Sequence, residues 1–250
     1  MREGRSVGVT TDAAAGEAEA ENRCWVLRAE GVSRAFGDTR ALVGADVDLR
    51  AGEAVAIMGP SGSGKSTLLH ALAGIIAVDG GKVLLRRSDG SGIDDLAVLP
   101  ETKRSGLRLR RFGFVFQAGL LIPELTAEEN VALPLLLSGR GRAEAVKRAN
   151  AELARLGMPG LGVRRIGQLS GGQAQRVALA RALAADPAII FADEPTGALD
   201  SRTADDVLDA LLASNEGAGR ALVIVTHDER VAGRCDRIVR LRDGRIESSS

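Results

Sequence analysis

The 250-residue sequence predicts an α/β protein, built on a mostly parallel sheet with helices on both faces. Three observations carry the prediction. Short, wholly apolar runs such as "AVAIM" at 54–58 and "AIIF" at 188–191 suit strands buried on both faces. These runs alternate with stretches of helical periodicity. The first of them also leads straight into a glycine-rich loop that opens a helix, "GPSGSGKST" at 59–67.

Residues 1–22 lack any apolar period and are expected to be a disordered tail, leaving 23–250 as one domain. "WVLRAEGVSRAF" and "ALVGADVDL" alternate as half-buried strands of an antiparallel β subdomain. The buried strand "AVAIM" precedes a helix from Lys65 to about Ala73, and "KVLLRR" is a strand ending at the turn-prone "SDGSG". Residues 93–111 are polar, and the linker at 98–107 fits no element. Their arginines, Arg104, Arg108, Arg110 and Arg111, read as a solvated face. "FGFVFQ" is a short strand ending at Gln117. A helical block over roughly 126–156 follows, opened by Thr126 and Glu129 as a capping box. The span of about 118–165 contains no strand, so it is expected to be an α-helical subdomain inserted into the core. A helix at Gln173–Ala185, the strand "AIIFADEP", a helix near 201–215 and the strand "ALVIVTHD" restore the alternation. The chain closes on a hairpin turning at Asp243-Gly244.

Thirty-three basic and 33 acidic residues cancel, which argues against a general polyanion binder, so no nucleic-acid partner is expected. Cys24 and Cys235 match no metal spacing and read as ordinary thiols. No apolar run reaches the ~18 residues of a membrane helix. Glu17, Glu19 and Glu21 stand where a signal peptide would be apolar. The chain is expected to be cytoplasmic, with any membrane span supplied by another chain.

Gly59 to Ser66 fits G-x-x-x-x-G-K-[ST] without mismatch, in the required strand–loop–helix context, and so predicts a P-loop NTPase core. Gly59, Ser61, Gly62, Ser63 and Gly64 let backbone N–H groups face phosphate oxygens at a helix N-terminus. Lys65 would reach the β- and γ-phosphates, the Ser66 hydroxyl would ligate Mg²⁺, and Thr67 would assist at the inner phosphates. The apolar run before Asp193 brings its carboxylate to the edge of the sheet, to hold Mg²⁺ directly or through water. Glu194 beside it could polarise an attacking water.

A second stretch, "QLSGGQAQR" at 168–176, has the same flavour. Ser170 and Gln173 fit a capping box, yet Gly171 and Gly172 are poor residues for a first helical turn. Bare backbone there suits a second anion site. One nucleotide does not need two helix N-termini from the same chain. Two chains facing head to tail would use both, which predicts a nucleotide-bridged homodimer.

"LSGGQ" at 169–173, after "GPSGSGKST" and before "ADEPTGALD", resembles the nucleotide-binding subunit of ABC transporters over nearly the whole chain from about residue 25. "IMGPSGSGKSTLL", "GFVFQ", "LIPELTAEENVALPL" and "FADEPTGALDS" resemble a narrower group, the stand-alone ATPases of macrolide-exporter, lipoprotein-release and cell-division type. The resemblance implies ATP and Mg²⁺ as ligands, a separate integral membrane permease as partner, and a place on the inner face of the cell membrane. It implies that Gln117 touches Mg²⁺ or the water and couples the site to the permease. Asp200 would connect the two sites of the dimer, and His227 would contact the γ-phosphate. The inserted helical subdomain would hold a groove for the permease, with Leu120, Leu121, Ile122 and Leu125 as candidate contacts. The family's adenine-stacking aromatic is usually Tyr; this chain has none, and Phe36 is the matching residue. Ala174 replaces a Gln that many relatives carry. His70 matches no motif and reads as a surface or packing residue, and Trp25 reads as packing.

Two alternatives remain at this level. A soluble ABC-type ATPase of the ribosome or DNA would carry two cassettes or long heptad arrays, and neither is present. A kinase or GTPase would leave "LSGGQ" and His227 without a purpose.

Overall fold

The computed structural model describes residues 25–215, 217 and 219–249. The tail at 1–22 and Cys24 lie outside the described residues. The continuous apolar runs become the central strands, as burial on both faces requires. β3 (Ala54–Met58), β6 (Phe112–Phe116), β7 (Ile189–Asp193), β8 (Ala221–Val225), β9 (Arg237–Arg242) and β10 (Arg245–Ser249) form a six-stranded sheet in the order β10-β9-β3-β8-β7-β6. All its pairings are parallel except the closing β9–β10 hairpin. The hairpin turns on Asp243 and Gly244, both at positive φ.

The alternating strands β1 (Trp25–Phe36) and β2 (Thr39–Arg50) pair with β4 (Gly80–Arg86) and β5 (Ile93–Asp95) in a separate antiparallel sheet. Helix α1 (Lys65–Leu72) lies between the sheets, burying Leu68, Leu69 and Leu72 in the main core. Trp25 is buried beneath the guanidinium groups of Arg28 and Arg86, which confirms its packing role.

Residues 93–111 correct the sequence reading. They contain β5 and a helix, α2 (Glu101–Arg111). Arg110 is exposed as expected, but the other arginines are turned inward: Arg108 donates to the Gly74 carbonyl at 2.7 Å and Arg111 to the Arg86 carbonyl at 3.2 Å. Arg104 and Arg108 also pair with Glu101 at the helix start.

The expected helical block is two helices, α3 (Ala127–Leu137) and α4 (Arg142–Arg155), broken at Gly139. α5 (Gly171–Ala184) joins the two parts of the molecule. Leu179 and Leu183 pack on the parallel sheet, whereas Val177 and Ala180 pack with Val131, Leu135 and Leu153 of the helical subdomain. α6 (Ser201–Ala213) and a short α7 (Glu229–Ala232) complete the layer.

Candidate nucleotide and catalytic site

The loop between β3 and α1 is shaped for an anion. Gly64 caps the helix at φ +101 with no side-chain cap, and the first turn has no acidic residue. The N-terminal N–H groups are therefore left to a ligand. A Cβ on Gly64 would strike the Ala41 carbonyl of β2, so no other residue fits. The Ser63 hydroxyl is buried without a partner. Lys65 is buried too, and its Nζ donates to the carbonyls of Gly59 and Pro60 at 2.8 and 2.9 Å. Phosphate oxygens would satisfy the orphaned hydroxyl and the open N–H groups together.

The catalytic candidates meet at the C-terminal ends of neighbouring strands. β6 and β7 pair with Phe116 opposite Asp193, so Gln117 and Glu194 leave the sheet side by side. A cavity of about 340 Å³ is lined by Ser66, Gln117, Asp193 and Glu194, among others. Ser66 Oγ donates to Asp193 Oδ1 at 3.3 Å. Glu194 Oε1 lies 3.1 Å from His227 Nδ1, and His227 is exposed to solvent. The Gln117 and Glu194 side chains converge on Gly197, where a Cβ would lie 3.0 Å from Gln117 Nε2 and 3.3 Å from Glu194 Oε2.

Glu194 itself sits at φ +45. For a residue with a side chain this costs roughly 1–3 kcal/mol and persists only where the surroundings hold it. Its N–H donates to the Val225 carbonyl of β8 at 2.9 Å, and its carbonyl accepts from Gly197 N–H at 3.1 Å.

Among the described residues, no three His, Cys, Asp or Glu side chains cluster as a self-sufficient metal site. Ser66, Asp193 and Gln117 supply one hydroxyl, one carboxylate and one amide. That set suits Mg²⁺, which retains waters and completes its octahedron with substrate phosphates.

The other candidates stand elsewhere. Phe36 ends β1, 49% exposed, with the Arg34 guanidinium 4.8 Å from its ring centroid. Asp79 fixes that arrangement, accepting from Arg34 Nη1 and Ala35 N–H, each at 2.7 Å. The capping box of α5 is formed in full: Ser170 Oγ accepts the Gln173 N–H at 3.3 Å, and Gln173 Oε1 accepts the Ser170 N–H at 3.0 Å. None of Ser170, Gly171, Gly172 and Gln173 lines the catalytic cavity. Gly172 also has a packing reason to be glycine. It is buried, and a Cβ there would collide with Thr203 Cγ2 of α6, so packing against that helix excludes a side chain. Gly171, by contrast, is exposed. Asp200 caps α6 and accepts the Thr203 N–H at 3.1 Å; hydrogen bonds from Thr203 hold its carboxyl below the ordinary range.

Two residues escaped sequence reasoning, Gln175 and Arg181, both on α5. Mid-helix polar residues carry no local signal of burial. Arg181 donates to the Leu120 and Gly119 carbonyls at 2.7 and 2.8 Å, and its burial lowers its pKa. It stands at an apolar groove of about 450 Å³ lined by Leu109, Phe114, Leu120, Leu133 and Leu137. Of the four apolar contact candidates, Leu120 lines this groove, while Leu121 packs into the helical subdomain.

A family model described as ABC transporter matches residues 42–197. The lipoprotein-releasing system ATP-binding protein LolD of Ruegeria pomeroyi is 46% identical over 230 residues, covering 90% of this chain and 98% of that protein. The macrolide export ATP-binding/permease protein MacB of Brucella melitensis is 46% identical over 229 residues, covering 90% of this chain but 34% of that protein. Among solved structures, a dimeric bacterial ABC transporter cassette superposes with a TM-score of 0.80 at 40% identity, covering 90% of this chain and 97% of that one. A dimeric post-hydrolysis ATP-binding cassette bound to ADP and Pi gives 0.79, also at 40% identity and with the same coverage.

Proposed function

This chain belongs to the ABC transporter family as an ATP-binding, ATP-hydrolysing subunit coupled to transport, and from that premise we propose that two copies close head to tail around ATP to drive a separate membrane permease. The carrying observation is that one chain holds two glycine-rich helix starts, an uncapped one after Gly64 and one capped by Ser170 with Gly171 and Gly172 in its first turn, and only the first borders the cavity lined by Asp193 and Glu194. A second copy would bring its Ser170, Gly171 and Gly172 to the γ-phosphate held by Lys65. Two similar cassettes of known structure are dimers, which supports the reading.

In this arrangement the Lys65 ammonium leaves the Gly59 and Pro60 carbonyls for β- and γ-phosphate oxygens, while Phe36 stacks on the base. Ser66, Asp193 and Gln117 would hold Mg²⁺, which neutralises charge on those phosphates. Glu194 orients a water in line with the γ-phosphorus and accepts its hydrogen bond. His227, beside Glu194, steadies that carboxylate and faces the γ-phosphate. Loss of the γ-phosphate contacts then lets the two copies separate.

Glu194→Gln tests this directly. With saturating ATP, light scattering after gel filtration should show a stable dimer. Turnover should fall by about 10²-fold or more, as expected for loss of a general base. A mutant that stays monomeric would sink the composite site.

Among the described residues, no helix is long and apolar enough to cross a membrane. A permease on another chain would seat a helix in the groove beside Arg181, next to the segment that carries Gln117. The cassette would thereby sit on the inner face of the cell membrane. The names of the Ruegeria and Brucella relatives, a lipoprotein-releasing system and a macrolide exporter, support an export or release system.

A further inference from the structure

The Gln175 side chain lies deep behind the catalytic edge, 4% exposed. Its Nε2 donates two hydrogen bonds, to the Phe116 carbonyl at 3.0 Å and to the Pro195 carbonyl at 2.7 Å. Phe116 immediately precedes Gln117, and Pro195 immediately follows Glu194. The Phe116–Asp193 pair is the last register pair of β6 and β7, and the Glu194 N–H continues the ladder on the other side, to Val225 of β8. At this edge both amide protons of one side chain bridge the two strand ends. The donor comes from α5, the helix that starts at Ser170.

We infer that Gln175 is a positioning residue: its carboxamide sets how Gln117 and Glu194 face one another, and thereby ATP turnover but not ATP affinity. The inference rests on the catalytic reading of Glu194 proposed above. Gln175 touches none of the groups assigned to hold ATP, so affinity should be indifferent to it. Glu194 is held at positive φ by its bonds to Val225 and from Gly197, and Gln175 adds a further hold on the next residue, at the Pro195 carbonyl.

The test compares Gln175→Met, which keeps volume and removes both donors, with Gln175→Glu, Glu194→Gln and the unaltered chain. Steady-state ATPase kinetics, binding of a fluorescent ATP analogue and thermal melting are read for each. In Gln175→Met, kcat should fall on the order of tenfold or more, with KM and analogue affinity within about threefold of the unaltered chain. The Gln175→Glu carboxylate would face two carbonyls in a buried site, which raises its pKa. On protonation it regains one donor. Its kcat relative to Gln175→Met should therefore climb as pH falls from about 8 to 6.

A kcat within twofold of the unaltered chain in both Gln175 variants would overturn the inference. So would a ratio that ignores pH, or a KM that rises in step with lost thermal stability. Should Gln175→Met melt below the assay temperature, the pH dependence of kcat in Gln175→Glu against the unaltered chain decides alone. If Glu194→Gln hydrolyses ATP normally, the catalytic reading has failed independently of Gln175.

Discussion

Gly172 has no room for a side chain, because Thr203 of the next helix occupies the place a Cβ would take. Gly172→Ala should lose roughly 1–3 kcal/mol, the usual cost of overpacking. Adding Thr203→Ser, which removes the offending methyl and keeps the N–H bonded to Asp200, should restore most of the loss in thermal unfolding. If the double variant is no more stable than Gly172→Ala alone, the contact is not the reason for the glycine. Glu194 is the opposite case. Its identity is chemical, and its positive φ is imposed by the β8 and Gly197 hydrogen bonds around it. Lys65 and Ser63 were legible because a phosphate loop is local: eight consecutive residues make it. Gln175 was not, since its two acceptors lie 59 and 20 residues away.

Both helix starts anticipated as capping boxes, at Thr126 and at Ser170, are formed as such. At the first, the Thr126 N–H donates to Glu129 at 3.1 Å, and this contact above all lowers the Glu129 pKa. A carboxyl depressed in the folded state stabilises above its unfolded pKa of about 4.3, and that contribution disappears as pH falls through the lower folded value. The melting temperature of the unaltered chain should thus drop on acidification below about pH 5, and less steeply in Glu129→Gln. Equal slopes would show that the box contributes no pH-dependent stability. Caps are readable because three residues suffice to close them. Residues 93–111 defeated the same approach. Arg108 and Arg111 of α2 are half-hidden by carbonyls of Gly74 and Arg86, which only the folded chain brings near.

At the scale of the molecule, α5 begins at the Ser170 turn, crosses between sheet and helical subdomain, and ends near the groove that Arg181 and Leu137 line. A partner seated there would press on the carbonyls of Gly119 and Leu120 that Arg181 holds. Tagged Glu194→Gln protein with ATP should therefore retain an integral membrane protein from detergent-solubilised membranes. Adding Lys65→Ala should abolish that capture. Leu137→Asp, on an exposed groove position, should also abolish it while leaving the ATP-driven dimer intact. Recovery of soluble complexes or nucleic acid alone would contradict the permease reading.

Alternation of apolar runs with helical stretches, the phosphate loop, the carboxylate pair after β7 and both capping boxes are all short-range patterns, each written within about a dozen residues. The α/β class and most candidate site residues follow from them without coordinates. Folding alone decided which of those residues share a cavity: Ser66, Gln117, Asp193 and Glu194 do, with His227 beside Glu194, while Phe36 and the Ser170 turn stand apart. It also decided that packing reserves Gly172 and that Gln175 links two strand ends. These are contacts between distant segments, and they depend on strand order and helix placement, which no local spacing encodes.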